Sequence, residues 1–305
     1  MAAAKVAEFR KTLRDESVDL RRRAEAAVEI SKLGKDAEKA LPELIAALGA
    51  ADYGLRCGAA EALGAAGEAA KEAVPQLRKA LQDASPVVRC AAAIGLGGVG
   101  EAAGDAAQAL GKALEDEAAL VKYLAADALT KLGPAAAAAL PQLAGAVRDK
   151  DAAVAGKAFF AMSRVGEEAV PPLLELLKDE DQGIRMQAMS ALKGVGKAAQ
   201  AAVPELRRAL EIPEDGTQPA LGAPAAEALG AMGPEAVEAA LPELRKALAE
   251  ASEPLVRVAA ANALGQIGPE AAGAALPGLR AAAAKDSSHD VRAWACSALG
   301  QLGEA

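Results

Sequence analysis

The sequence predicts an all-α fold: a right-handed superhelical α-solenoid of about nine antiparallel helix pairs, one array from residue 1 to residue 305. Three observations carry this. First, the stretch Leu55-Arg56-Cys57-Gly58-Ala59-Ala60-Glu61-Ala62-Leu63-Gly64-Ala65-Ala66-Gly67 returns as residues 88–100, and then, intact or degraded, along the whole chain. Its closing glycine falls at Gly34, Gly67, Gly100, Gly133, Gly166, Gly196, Gly233, Gly268 and Gly303, in steps of 33, 33, 33, 33, 30, 37, 35 and 35 residues. Second, a proline follows most of these glycines by eight or nine residues, at Pro42, Pro75, Pro141, Pro204, Pro242 and Pro277; Pro171 follows by five, and Gln108 holds the place in the third case. A fixed period in the thirties marks stacked helical repeats. Third, no run alternates with period two, so strands are excluded. The units read 1–34, 35–67, 68–100, 101–133, 134–166, 167–196, 197–233, 234–268 and 269–305.

The unit from Glu68 to Gly100 shows how the period becomes helices. Pro75 suits a first helical turn, where its missing N–H costs nothing, and Val74, Leu77, Ala80 and Leu81 keep helical spacing. Asp83-Ala84-Ser85-Pro86 reads as a turn with Ser85 as N-cap and Pro86 at N1. The second helix runs from Val87 to Val99 and stops at Gly100, the expected left-handed residue past a helix end. With the arginine of each second helix as zero, apolar residues recur at −1, +3, +6, +7 and +10. They are Leu55, Ala59, Ala62, Leu63 and Ala66, then Val88, Ala92, Gly95, Leu96 and Val99. Most units keep −1, +3, +7 and +10, as in Val256, Ala260, Leu264 and Ile267. That is one helical face. One pair cannot bury both its faces alone, so neighbours must stack.

Composition sets limits on function. Apolar residues make up 52% of the chain but aromatics only 2%, so the core is alanine-rich, extended and closely packed. A net charge of −8 opposes nucleic acid and anionic membranes as partners. No charge-free apolar stretch is long enough to cross a bilayer. The first ten residues carry Lys5, Glu8 and Arg10 and no apolar run. Three cysteines form no disulfide framework. A cytoplasmic protein without membrane insertion is the expectation.

The motif Asp-x-x-Val-Arg followed by Ala-x-x-x-Leu-Gly stands here as Asp52-x-x-Leu55-Arg56, Asp181-x-x-Ile184-Arg185 and Glu253-x-x-Val256-Arg257. It resembles the HEAT repeat family over about the whole chain, in particular the short bacterial form related to the PBS-lyase HEAT-like repeats. The resemblance implies that first helices line a convex side and second helices a concave side. It also implies an inter-repeat ladder of Asp and Arg, here Arg23, Arg56, Arg89, Arg185, Arg257 and Arg292 with Asp52 and Asp181. Lys122 would substitute in the fourth unit, and Ala155 and Gly222 would break the ladder. Such arginines are structural: the guanidinium fork suits inter-repeat hydrogen bonds.

Two irregularities interrupt the period. The 30-residue step shortens the loop into Pro171-Pro172. The seventh unit carries an insertion, residues 211–219, before a second helix that begins poorly, with Gly222 and Pro224. The insertion is either tolerated loop length or a lip touching a partner.

Groups for chemistry are scarce. The single histidine, His289, lies in an aspartate-flanked turn, which suits a solvated or capping role. There is no His–His pair, no Cys-x-x-Cys and no phosphate loop, so no metal, cofactor or catalytic residue is assigned. The glycines of Gly95-x-Gly97-Gly98-x-Gly100 follow no strand and are no dinucleotide loop. Cys57 and Cys90 share position +1 on adjacent helices. Helix axes about 8–10 Å apart exceed disulfide reach. Glu68, Glu101 and Glu167 follow repeat glycines and complement helix dipoles.

Positions +1, +5 and +8 of the second helices lie opposite the buried stripe, so they are expected to face the groove. Glycine at +8 (Gly64, Gly97, Gly230, Gly265, Gly300) would leave its floor low. Three consecutive units place Tyr123, Phe159, Phe160, Met162, Met186 and Met189 on or beside this face, in a chain with three Phe, two Tyr and five Met. Either they line an interaction surface, or they fill a core gap opened by the shortening at Pro171. The favoured reading is a non-enzymatic scaffold that holds a protein or peptide against Cys90, Ile94, Tyr123, Asp127, Phe159, Phe160, Met186 and Met189. Asp127 and Glu61 would meet basic groups of that partner. The alternative that the resemblance implies is a bilin lyase-like or other enzyme-accessory role. Trp294, at +2 of the last helix, would pack over the end of the array or join a second copy.

Overall fold

The computed structural model describes residues 2–211, 221–268 and 270–303, and every regular element among them is helical. The contacts form two compact units, Met1–Glu168 and Ala169–Ala305. The first unit holds five helix pairs: α1 (Ala2–Arg14) with α2 (Leu20–Ser31), α3 (Leu41–Ala47) with α4 (Tyr53–Ala65), α5 (Val74–Ala80) with α6 (Pro86–Val99), α7 (Ala107–Ala113) with α8 (Ala119–Leu132), and α9 (Leu140–Ala146) with α10 (Ala152–Val165). The second holds α11 (Val170–Leu176) with α12 (Gln182–Val195), α13 (Val203–Leu210) with α14 (Gly222–Met232), α15 (Pro234–Ala239) and α16 (Leu241–Glu250) with α17 (Pro254–Leu264), and α18 (Ala272–Lys285) with α19 (His289–Gln301). Within the first unit the second helices α2, α4, α6, α8 and α10 pack in sequence order as one layer. In the second unit α12, α14, α17 and α19 do the same. The first helices form the other layer, and the core lies between. This is the all-α solenoid that the period predicts.

The stripe read from the sequence is the core. Leu55, Ala59, Ala62 and Leu63 are fully buried, as are Val88, Ala92 and Leu96. One element was not legible. Between the repeat glycine and the first helix the chain runs as a seven-residue 3-10 turn, at Gly34–Ala40, Gly67–Ala73, Gly100–Ala106, Gly133–Ala139 and Gly196–Ala202. Its alanines, such as Ala70, Ala73, Ala103 and Ala106, are buried. In the shortened repeat this turn is cut to Glu167–Ala169, which is where the missing residues come from.

Pro42, Pro75, Pro141, Pro171, Pro204 and Pro242 stand in the first turn of their helices, as predicted. α7 begins at the same point without one, and Pro277 lies inside the unbroken α18 rather than at its start. Ser85 holds the N-cap position of α6, but its side chain makes no capping bond. Instead its N–H donates to Asp83 Oδ1 at 2.9 Å.

The closing glycine is required, though not for the left-handed helical conformation expected. Gly100 has φ +71° and ψ −144°, the mirror image of extended backbone, which is open to glycine alone. Gly268 departs from the set: α17 ends at Leu264, and the chain turns before that glycine is reached.

The glycines at +8 are corrected most. Gly64 and Gly97 do not lower a groove floor; in the α4–α6 and α6–α8 contacts they let neighbouring second helices touch backbone to backbone, whereas Gly300 has nothing within 4 Å of an added Cβ. A Cβ on Gly64 would lie 2.9 Å from Gly95 Cα, and one on Gly98 only 2.6 Å from Gly64 Cα. Gly97 faces Ala128 in the same way, at 3.1 Å. Pro86–Ala113 has the apolar composition of a membrane span. Gly100 breaks it into α6, a 3-10 turn and α7, and most of its alanines and leucines are in the core.

Candidate interaction surface

The loops joining first to second helices carry the ladder. Arg56 sends Nε and Nη2 to the two oxygens of Asp83 at 2.8 and 2.9 Å, and Nη1 to the carbonyls of Ala50 and Ala51. Arg89 repeats this with Asp116 and the carbonyls of Asp83 and Ala84. Arg257 does so with Asp286, Ala251 and Ser252, and Lys122 pairs with Asp149. Each of the three arginine rungs ties a second helix to its own loop and to the next, while Lys122 reaches the next loop alone. Arg185 and Arg292 hold their own loop carbonyls through Nη1, while Arg23 donates from Nε to Leu13 O.

The acids of the rungs are not the ones expected. Asp52 and Asp181 cap α4 and α12, accepting from the N–H of Leu55 and of Gly183. The rung carboxylates stand six residues before the next repeat's zero position, and each also accepts an N–H two residues on, as Asp83 does from Ser85 and Asp116 from Ala118. Arg56 holds the Asp83 carboxyl below its ordinary range. At Asp116 burial acts in the opposite sense and is outweighed by Arg89.

On the outward face of the second-helix layer, the first unit brings Tyr123, Asp127, Lys157 and Phe160 together. Phe160 is 54% exposed and Ile94 39%. Lys157 Nζ lies 3.0 Å from Asp127 Oδ1, 5.2 Å from the Tyr123 ring centroid and 5.8 Å from that of Phe160. Lys131 reaches the other oxygen of Asp127 at 2.9 Å. Burial would push the Asp127 carboxyl up; hydrogen bonds from Lys131 and Lys157 outweigh it and hold it low. The same contact with Asp127 holds the Lys157 ammonium above its usual range. A cation fixed by a carboxylate over two aromatic faces is a stable local arrangement.

Cys90 and Cys57 are half-buried free thiols. Burial, then the Glu61 charge, pushes Cys57 up to about 11, and burial also raises Cys90. Phe159 and Met189 leave the surface: at 4% and 3% exposure they are core, because position +4 turns toward the neighbouring helix, and Met162, at +7, is buried on the core stripe. Met186 is exposed, on the second unit. Phe159, Met162 and Met189 are thus core residues, while Phe160 and Met186 face outward. His289 and Trp294 are exposed on α19. Residues 212–219 of the insertion lie outside the described residues.

Sequence reasoning missed Lys157, whose signal was a lysine at +2 facing an acid at +5 of the preceding repeat. It also missed Leu20, Tyr53, Val87 and Leu120, exposed apolar residues in the first turns of α2, α4, α6 and α8. Indexing at −3 and −2 would have found these.

HEAT repeats match residues 74–163, 140–221 and 214–300, and a PBS lyase HEAT-like repeat matches residues 55–83. No curated protein matches the sequence. Among solved structures, an engineered protein is 23% identical, with 62% of this chain and 96% of that one covered and a TM-score of 0.50, a likeness of fold alone. A designed armadillo repeat protein is 18% identical over 62% of this chain and 99% of its own, with a TM-score of 0.48. The CpcE–CpcF complex of phycocyanin lyase from Nostoc sp. PCC7120 is 25% identical over 74% of this chain and 86% of its own, with a TM-score of 0.45. With HEAT repeats matched from residue 74 to residue 300 and helix pairs stacked at the same period, the chain belongs to the HEAT repeat family.

Proposed function

We propose that the protein is a non-enzymatic scaffold that binds a protein or peptide on the outward face of its second helices. The observation that supports this most is the setting of Phe160. A chain with three phenylalanines leaves one more than half exposed, beside the half-buried Tyr123 and above a fixed carboxylate–lysine pair. Exposed aromatics on a rigid layer are what recognition surfaces use. Ile94, Cys90 and Asp127 extend the surface on α6 and α8. Met186 offers an adaptable contact on the second unit.

The test is affinity capture from the native host, with the wild-type chain and a Tyr123→Ala, Phe160→Ala double variant as baits. Proteins held by the first and lost by the second, with the variant's helical content intact, are the expected outcome. An identical set on both baits would remove this face from the function. Mixing the chain with a bilin tests the enzyme reading, and the expectation is that no visible absorbance band develops.

A further inference from the structure

In the first unit one arginine of the ladder has no acid to meet. A rung acid stands six residues before the next zero position: Asp83 before Arg89, Asp116 before Lys122, Asp149 before Ala155. Before Arg56 that place is Ala50. The backbone there keeps the rung geometry, since Arg56 Nη1 holds the carbonyl of Ala50 as Arg89 Nη1 holds that of Asp83. Only the carboxylate is missing. Arg23, whose rung this is, is half-buried and donates from Nε to Leu13 O at 3.1 Å. Among the described residues nothing accepts from its Nη1 or Nη2, whereas Arg56 and Arg89 each use all three nitrogens. A guanidinium carries five N–H donors, so most of those on Arg23 have no acceptor in the chain.

The same cleft recurs between the loop of one repeat and the first helix of the next. Around the fourth rung, Lys122, Asp149, Pro141 and Ala146 line it. Around the first, the corresponding residues are Arg23, Ala50, Pro42 and Ala47, and the cleft measures about 570 Å³. Leu13 and the exposed Leu20 add apolar wall. Of the acids in this region, Glu43 is buried and taken by Arg10, at 3.2 and 3.3 Å, and by Arg14. Asp15 accepts the N–H and the hydroxyl of Ser17. Glu16 lines the cleft but is exposed, where water and salt screen its charge.

We propose that this cleft binds an aspartate from a turn of a partner chain, with its carboxylate on Nη1 and Nη2 of Arg23. The chain itself shows how such an aspartate is presented. Each rung acid also accepts the N–H two residues on: Asp83 from Ser85, Asp116 from Ala118, Asp149 from Asp151 and Asp286 from Ser288. A partner's turn of the same kind would put its carboxylate where Ala50 leaves room, and lay apolar flanking residues on Leu13, Leu20 and Pro42. The site lies at the loops rather than on the face that carries Phe160, so it goes beyond the scaffold reading and does not rest on it.

The probe is the chain's own second-rung loop, residues 80–87, as a capped and dye-labelled peptide, beside the same peptide carrying Asp83→Asn. The full chain is titrated into each and binding is read by fluorescence anisotropy. The aspartate peptide is expected to bind about tenfold or more tightly than the asparagine one, and less so as salt rises. Two variants of the full chain make the test specific. Ala50→Asp gives Arg23 an acid of its own; it is expected to abolish the difference between the peptides and to raise the midpoint of thermal unfolding. Arg23→Gln is expected to abolish the difference without that rise. Equal binding of the two peptides, binding of neither, or a difference that survives both variants overturns the proposal. So does displacement of the peptide by an equal concentration of acetate, which would make the cleft a site for small carboxylates. The Tyr123→Ala, Phe160→Ala variant is expected to bind the peptide as the wild type does, so either reading can fail without the other.

Discussion

Arg89 and Asp116 meet in two parallel hydrogen bonds of 2.7 and 2.8 Å, joining α6 to the loop that precedes α8. Both side chains are about nine-tenths shielded from water, and the guanidinium's remaining nitrogen is held by two loop carbonyls. Removing one partner would strand the other in a dry place. Arg89→Ala is therefore expected to cost about 3–5 kcal/mol, read from urea unfolding. Asp116→Asn is expected to cost less, since an amide still accepts one of the two bonds. A double variant that costs as much as the two singles added together would mean the rung is not a coupled pair.

The rungs also set the acid limit of the fold. Asp83, Asp116, Asp149 and Asp286 all have their pKa held down, chiefly by Arg56, Arg89, Lys122 and Arg257. A group whose folded pKa is depressed contributes stability above its unfolded value, about 3.9 for Asp, and loses it as pH falls through the folded one. Stability is expected to be flat from pH 7 to about 5 as far as these groups decide it, and to fall steeply below about 4. Replacing all four by Asn should flatten that fall. An acid limb of equal slope in the quadruple variant would place its cause elsewhere.

The α4–α6 crossing depends on having nothing but backbone at its centre. Gly98→Ala would press a methyl into Gly64, whose own backbone has no side chain to move aside. The expected loss is about 1–3 kcal/mol or more, measured by thermal unfolding. Gly145, with nothing within 4 Å of an added Cβ, serves as the neutral comparison in α9.

The fold was legible because one signal, a glycine every thirty-odd residues, coincides with a backbone state that only glycine reaches, as at Gly100. The core followed from the stripe through Leu55, Leu63 and Leu96, each fully buried. What periodicity does not encode is the direction of a contact between repeats. Asp52 and Asp83 are equally plausible partners of Arg56 along the chain, and only stacking brings the second within reach while the first caps its own helix. The candidate site was half legible for the same reason. Tyr123, Asp127 and Phe160 stand out by residue type and position. Lys157, which joins them, acts across two helices whose separation no spacing in the sequence states.

The Cys57 thiol offers a reporter for the Glu61 charge on α4. Pushed from an ordinary 9.0 up to about 11 by burial and then by the Glu61 charge, it is protonated at neutral pH. Its alkylation by iodoacetamide is expected to be roughly a hundredfold slower than that of free cysteine. Glu61→Gln should speed it. Mass spectrometry of time points resolves Cys57 from Cys90 and Cys296; a rate equal to that of free cysteine would contradict the buried, acid-facing placement.

Phe159 and Phe160 are neighbours with opposite surroundings, and their comparison tests the division between the core and the proposed recognition face. The Phe159 ring lies in the core beside the fully buried Ala158 and Met162 of its own helix, at 4% exposure. Truncation to Ala there leaves a cavity and is expected to cost about 3–5 kcal/mol. The Phe160 ring is 54% exposed, with the Lys157 ammonium 5.8 Å from its centroid. Truncation should cost under about 1 kcal/mol, because Asp127 still holds that lysine at 3.0 Å. Chemical unfolding of the two single variants under one set of conditions decides the matter. If Phe160→Ala proved as damaging as Phe159→Ala, the exposed ring would be serving the fold and the interaction surface would lose its central residue.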